Sequence, residues 1–108
     1  MRVPANAEIA DGKLTAYLLV PRAVDDKSAF LRQAGFSPSD WHLLRDELRR
    51  LIAHVDAAPD RHDAYGTFYR VEGPLTGPNG KKLEVVTVWM CGNVDGRYRF
   101  ITLKPRRP

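Results

Sequence analysis

Two stretches near the C-terminus, residues 82–91 and 98–104, constrain this chain more than any others. Both are rich in β-branched and aromatic residues, and the polar segment 92–96, with a glycine at each end, joins them. Such runs with a short turn between them read as neighbouring antiparallel strands. A third run, 65–74, alternates Tyr65, Thr67, Tyr69 and Val71 against Phe68 and Arg70, and Gly77-Pro78-Asn79-Gly80 turns it into the second. The spacing therefore predicts a β-meander of three to four strands at 65–74, 82–91 and 98–104, with 57–64 as a polar loop.

A sheet of this size needs a cover, and the upstream half supplies helical patterns. Trp41, Leu44, Leu48, Leu51, Ile52 and Val55 recur at three- and four-residue steps behind Ser37-Pro38-Ser39-Asp40, which reads as an N-cap serine and a proline at the first helical position. Asp46 and Arg50 lie on the opposite side at i, i+4. Leu14, Tyr17 and Leu18 share a face in a shorter helix, 13–20, capped by Asp11 and stopped by Pro21. Asp25 or Asp26 caps another that runs to Ala34, with Gly35 as a left-handed stop and Phe36 as its apolar contact. The expected fold is α+β: three N-terminal helices packed on one face of the meander. With 108 residues, a single domain spanning 1–108 is expected.

Alternation sorts the strand residues. Val86, Val88 and Met90 form one row of the second strand, with Leu83, Val85, Thr87 and Trp89 opposite; Ile101 and Leu103 oppose Tyr98, Phe100, Thr102 and Lys104 in the last. If the aliphatic rows meet the helices, Thr87, Trp89, Thr102 and Lys104, with Tyr69, line the open face.

The single cysteine, Cys91, excludes an internal disulfide and a cysteine-rich metal site, in keeping with a reducing, cytoplasmic compartment. His42, His54 and His62 share no metal-ligand spacing, and phosphate-loop, HExxH, GxSxG and CxxC motifs are absent, so no cofactor or metal is expected. No apolar run is long enough to span a bilayer, and no membrane partner is expected. The net charge is +4, and Arg97, Arg99, Lys104, Arg106 and Arg107 follow one another without an acid. This cluster favours phosphate, anionic lipid or an acidic protein; a solvated edge strand with a basic tail accounts for it equally. Trp89, Tyr69, Tyr98 and Phe100 interleaved with arginine can stack bases while the cations hold phosphates, as on several single-stranded RNA-binding sheets.

The ordered motifs Pro4 to Ala7, Lys13-Leu14-Thr15-Ala16-Tyr17-Leu18-Leu19, Lys27-Ser28-Ala29-Phe30, Gly35-Phe36, Tyr65-Gly66-Thr67-Phe68-Tyr69, Gly73-Pro74-Leu75 with Pro78-Asn79-Gly80, Val86-Thr87-Val88-Trp89 and Arg99-Phe100-Ile101-Thr102 run through nearly the whole chain. In this order they resemble a bacterial domain family classed as of unknown function, whose members stand alone or end larger toxin-like proteins. Its layout is similar to the RNase toxins grouped around barnase, EndoU, the tRNase colicins and RelE, a likeness of fold. The resemblance implies RNA cleavage by Lys27, Arg99 and Thr102, with Trp89 stacking; the expected reading is a metal-independent RNase with substrate contacts from Lys13, Tyr69, Thr87 and Lys104 and a cognate acidic antitoxin or immunity protein as partner. The alternative is a non-catalytic module that binds nucleic acid or protein on the same face. The family's Asn-Pro-x-His-Pro segment is here Val20-Pro21-Arg22-Ala23-Val24, without the histidine. The closing threonine is followed by Leu103-Lys104 where relatives often carry an aromatic.

Overall fold

The computed structural model describes residues 1–24 and 26–107. Four antiparallel strands form one sheet in sequence order: β1 (Ala58–His62), β2 (Gly66–Thr76), β3 (Lys82–Gly92) and β4 (Tyr98–Pro105). The fold is α+β, with a four-stranded meander as expected. β1 comes from the segment read as a loop, because all five of its residues are exposed and it carries Pro59, so no hydrophobic alternation marks it.

The helical half differs from the expectation of three helices on the sheet. Only α3 (Trp41–His54) is long, and it lies along β2; a 3-10 turn, Pro38–Asp40, leads into it. Its stripe buries Leu44, Leu48, Leu51 and Ile52, worth roughly 2 kcal/mol each. A Cβ on Gly73 of β2 would meet Leu51 Cδ1 at 2.8 Å, so glycine lets helix and sheet approach closely here. The first helical segment is α1 (Asp11–Lys13) running into a π-helical turn, Leu14–Leu18, with Ala10 rather than Asp11 at its N-cap. The second is the single turn α2 (Ser28–Arg32). Its N-cap is Lys27 rather than the expected Asp26, which lies one residue earlier and accepts from the Ser28 hydroxyl at 2.7 Å and backbone N–H at 2.8 Å; these bonds hold the Asp26 carboxyl below the usual 3.8. Asp25, the other candidate cap, lies outside the described residues. Gly35 has φ +89° and Phe36 N–H closes back on the Leu31 carbonyl, so the expected stop forms.

The sheet's sidedness inverts the expectation. Tyr69, Val71, Gly73 and Leu75 of β2, Leu83, Val85, Thr87 and Trp89 of β3, and Phe100 and Leu103 of β4 face the helices; in this row all but Tyr69 are buried. Phe68, Arg70 and Glu72, then Val86, Val88 and Met90, then Thr102 and Lys104 face the other way. Thr87 and Trp89, expected on the open face, are both fully buried. The indole N–H donates to Thr87 Oγ1 at 2.8 Å, and that hydroxyl donates to the Val71 carbonyl at 2.8 Å. Their polar groups thus satisfy one another and need no water. Trp89 also meets Phe100 edge-on at 5.2 Å. Thr102 and Lys104 reach the open face for a different reason: β4 bulges between the pairs Val88↔Thr102 and Trp89↔Phe100, and Ile101 is the extra residue. One inserted residue reverses the parity of everything after it.

The N-terminal segment covers the free edge of β4. Glu8 N–H bonds the Tyr98 carbonyl and Phe100 N–H bonds Glu8, and Arg49 of α3 clamps the carbonyls of Ala5 and Ala7. This capped edge removes a site of strand addition.

Candidate functional site

The π-turn carries its side chains to the last strand. An i→i+5 bond from Leu19 N–H to the Leu14 carbonyl widens the helix, a local geometry frequent at functional sites. Leu14 and Leu18 go into the core, while the Tyr17 hydroxyl reaches Thr102 Oγ1 on the open face at 3.4 Å. Lys27, one residue before α2, donates its Nζ to Tyr17 Oη at 3.3 Å and to Thr102 Oγ1 at 3.5 Å. A phenol, an ammonium and a hydroxyl from three separate segments close a triangle. Cations surround the phenol: Arg22 lies 4.5 Å over the ring, Lys27 5.5 Å and Lys13 5.9 Å from its centre.

Through Lys27 the triangle adjoins a groove of about 640 Å³ on the open sheet face; Tyr17 and Thr102 are not among its lining residues. Five cations line it, Lys27, Arg70, Lys104, Arg106 and Arg107, against two carboxylates, Asp26 and Glu72, with Phe30, Val86 and Pro105 as apolar walls. Arg106 Nε pairs with Glu72 at 3.1 Å. Arg70 stands 3.7 Å from Asp60 and 3.8 Å from Glu72, and its buried Nε makes no hydrogen bond. The groove therefore combines positive charge with an apolar wall, a set suited to an anion that carries a flat ring.

The residues singled out in the sequence fall into three groups. Lys27 and Lys104 line the groove, Thr102 accepts from Lys27, and Lys13 stands 5.9 Å from the centre of the Tyr17 ring. Arg99 is not brought to Lys27's groove. It bonds Asp95 at 2.7 Å in the β3–β4 turn and lines a second groove of about 600 Å³ beside Pro4, Glu8 and Tyr98. Bonds from Arg97 N–H and then Arg99 hold the Asp95 carboxyl below its usual value. Tyr69, Thr87 and Trp89 face inward; Tyr69 is half-buried against Tyr98 at 5.8 Å. A fully buried indole has no face for a base to stack on. Tyr17, Arg22, Phe30, Arg70 and Glu72 escaped the sequence reading. For Tyr17 a signal existed, since it stands at i+4 from Lys13 in the Lys-Leu-x-x-Tyr-Leu-Leu motif. Nothing local marked Glu72, whose position depends on the register of β2, β3 and the bulged β4.

His42 and His54 lie on α3, His62 bonds Thr67 at 2.9 Å on β1, and none of the three lines the groove. Among the described residues no group of three His, Cys, Asp or Glu side chains could hold a metal ion. No helix among them is long and apolar enough to cross a membrane.

The profile of DUF6883, a domain of unknown function, matches residues 4–107. The chain belongs to this family. Comparison with curated proteins gives no match. Among solved structures, the fold is similar to a chain in the contact-dependent growth inhibition toxin–immunity protein complex from Klebsiella pneumoniae 342. The TM-score is 0.70 at 20% identity, over 96% of this chain and 97% of that one. At that identity the likeness is one of fold. Within it, Lys13, Tyr17, Lys27 and Thr102 converge.

Proposed function

We propose that the domain is a toxin-type, metal-independent endoribonuclease whose catalytic centre is the Tyr17–Lys27–Thr102 triangle. The observation that carries this reading is the convergence of those three side chains, of which Lys27 also lines a cationic groove. Attack of a ribose 2′-hydroxyl on the adjacent phosphorus releases the 5′-oxygen and leaves a cyclic phosphate. The 2′-hydroxyl gives its proton to a solvent water and the departing oxygen takes one from the Tyr17 hydroxyl, which regains it from solvent, while negative charge builds on the phosphoryl oxygens. Lys27 is the cation placed against that charge. The Tyr17 hydroxyl, within hydrogen-bond reach of Lys27, passes a proton to the departing oxygen. Thr102 fixes both by accepting from Lys27 and sharing a hydrogen bond with Tyr17. Lys104, Arg106 and Arg107 hold the flanking phosphates. Support also comes from fold, since the Klebsiella complex pairs a toxin with an immunity protein. An acidic partner that covers the groove would silence the domain, and its surface charge complements the basic C-terminal end.

The absence of histidine from the groove favours a second reading, a module that binds RNA without cutting it. Induced expression in a bacterial host separates the two. Growth arrest relieved by Lys27→Ala and by Tyr17→Phe, at equal soluble protein, is the expected result. Arrest that persists in both variants, or no arrest by the wild type, would overturn the assignment of these side chains to catalysis.

A further inference from the structure

We infer that the groove selects guanine, through the Glu72 carboxylate. This rests on the proposed action on RNA and names the base it takes. Of the two carboxylates lining the groove, Asp26 is committed to Ser28, whose N–H and hydroxyl both bond its Oδ1. Glu72 is not tied into the backbone. Among the described residues it pairs with side chains, Arg106 at 3.1 Å and Arg70 at 3.8 Å, and all three groups are more than a third exposed. Exposed pairs of this kind exchange at little cost. Phe30 and Val86 wall the same groove and give a base ring an apolar surface to lie on.

A carboxylate offers two parallel acceptor oxygens. Guanine is the RNA base whose Watson–Crick edge presents two adjacent donors, N1–H and the 2-amino group. Adenine would turn its N1 acceptor toward the same oxygens, and the pyrimidines offer one donor each. Arg70, whose guanidinium flanks Glu72 at 3.8 Å and lines the groove, can donate to guanine O6 or N7. A two-point match of this kind discriminates by roughly ten- to a hundred-fold. Lys104, Arg106 and Arg107 meanwhile hold phosphate without regard to the base.

Calorimetric titration of the full chain with guanosine 3′-monophosphate, adenosine 3′-monophosphate and inorganic phosphate tests this. The wild type should bind the guanine nucleotide at least tenfold more tightly than the adenine nucleotide. Glu72→Gln should bring the ratio close to one while phosphate binds as well or better, because a negative charge has left the groove. Equal binding of the two nucleotides by the wild type, or a preference that survives Glu72→Gln, would overturn the guanine assignment and leave RNA binding standing. Failure of the wild type to bind any of the three at millimolar concentration would overturn both.

Discussion

Thr87→Val tests the reversed sidedness of the sheet. Valine matches threonine in shape, so the change removes a hydroxyl without opening a cavity. Two bonds of 2.8 Å are lost: the donation to the Val71 carbonyl and the acceptance from Trp89 Nε1–H. The indole N–H is then buried without a partner, which costs about 1–3 kcal/mol, and the second bond adds about 1 kcal/mol. A methyl buried in place of the hydroxyl returns about 0.8 kcal/mol. The net expectation is a loss of about 2 kcal/mol, or roughly 8–16 °C in Tm for a domain of this size. Thermal melts followed by circular dichroism, with urea titrations alongside, measure it. Trp89→Phe removes the donor that Thr87 satisfies, so the two substitutions should be non-additive: the double variant should be more stable than the summed single losses predict by about 1 kcal/mol. If Thr87→Val shifts Tm by less than about 3 °C, the hydroxyl faces solvent and the buried Thr87–Trp89 pair is refuted.

Three further outcomes follow from the structure. Gly77→Ala would drive a Cβ into the Ala34 carbonyl, undocking the β2–β3 hairpin tip from the end of α2; a loss of about 2 kcal/mol or more by denaturant titration is expected, and a neutral result would contradict the docking. Burial first, then the neighbouring Cys91 and Tyr69, push the Tyr98 phenol up to about 12 from its usual 10.0, so the folded state holds that proton longer than the unfolded chain. The stabilisation is present below pH 10, is lost as pH rises from about 10 to about 12, and Tyr98→Phe should flatten that alkaline fall in Tm. With no histidine lining the groove, the pH–rate profile of RNA cleavage should show no inflection near 6.5, whereas a bell centred there would assign the chemistry to a histidine.

The elements that sequence pattern revealed are those whose burial follows a simple period. The stripe from Leu44 to Ile52 and the alternation in β2 and β3 are both where they were expected. Sidedness was not legible, because two rows of β3 are both apolar and ranking them by aliphatic content chose wrongly. Thr87 and Trp89 look amphipathic singly, and only their mutual hydrogen bond explains why they are inside. The bulge at Ile101 carries no turn residue to announce it, yet it moves Thr102 and Lys104 to the face where Lys27 and Tyr17 meet them. β1 went unseen because an exposed edge strand has no core face to mark it. Of the site, Lys27 and Thr102 were named from family motifs, but their proximity comes from the π-turn, the bulge and the edge of β4 together, none of which has a local signature. Arg99 shared a motif with Thr102 and yet serves the β3–β4 turn, since three residues along a bulged strand lead to a different groove.

Incubating the purified, folded protein with total RNA in EDTA tests the central claim most directly. Cleavage products ending in a 2′,3′-cyclic phosphate are expected from the wild type. Lys27→Ala and Tyr17→Phe should each slow their formation by about a hundredfold or more while melting within a few degrees of the wild type. Intact RNA after incubation with micromolar folded wild type would contradict the account.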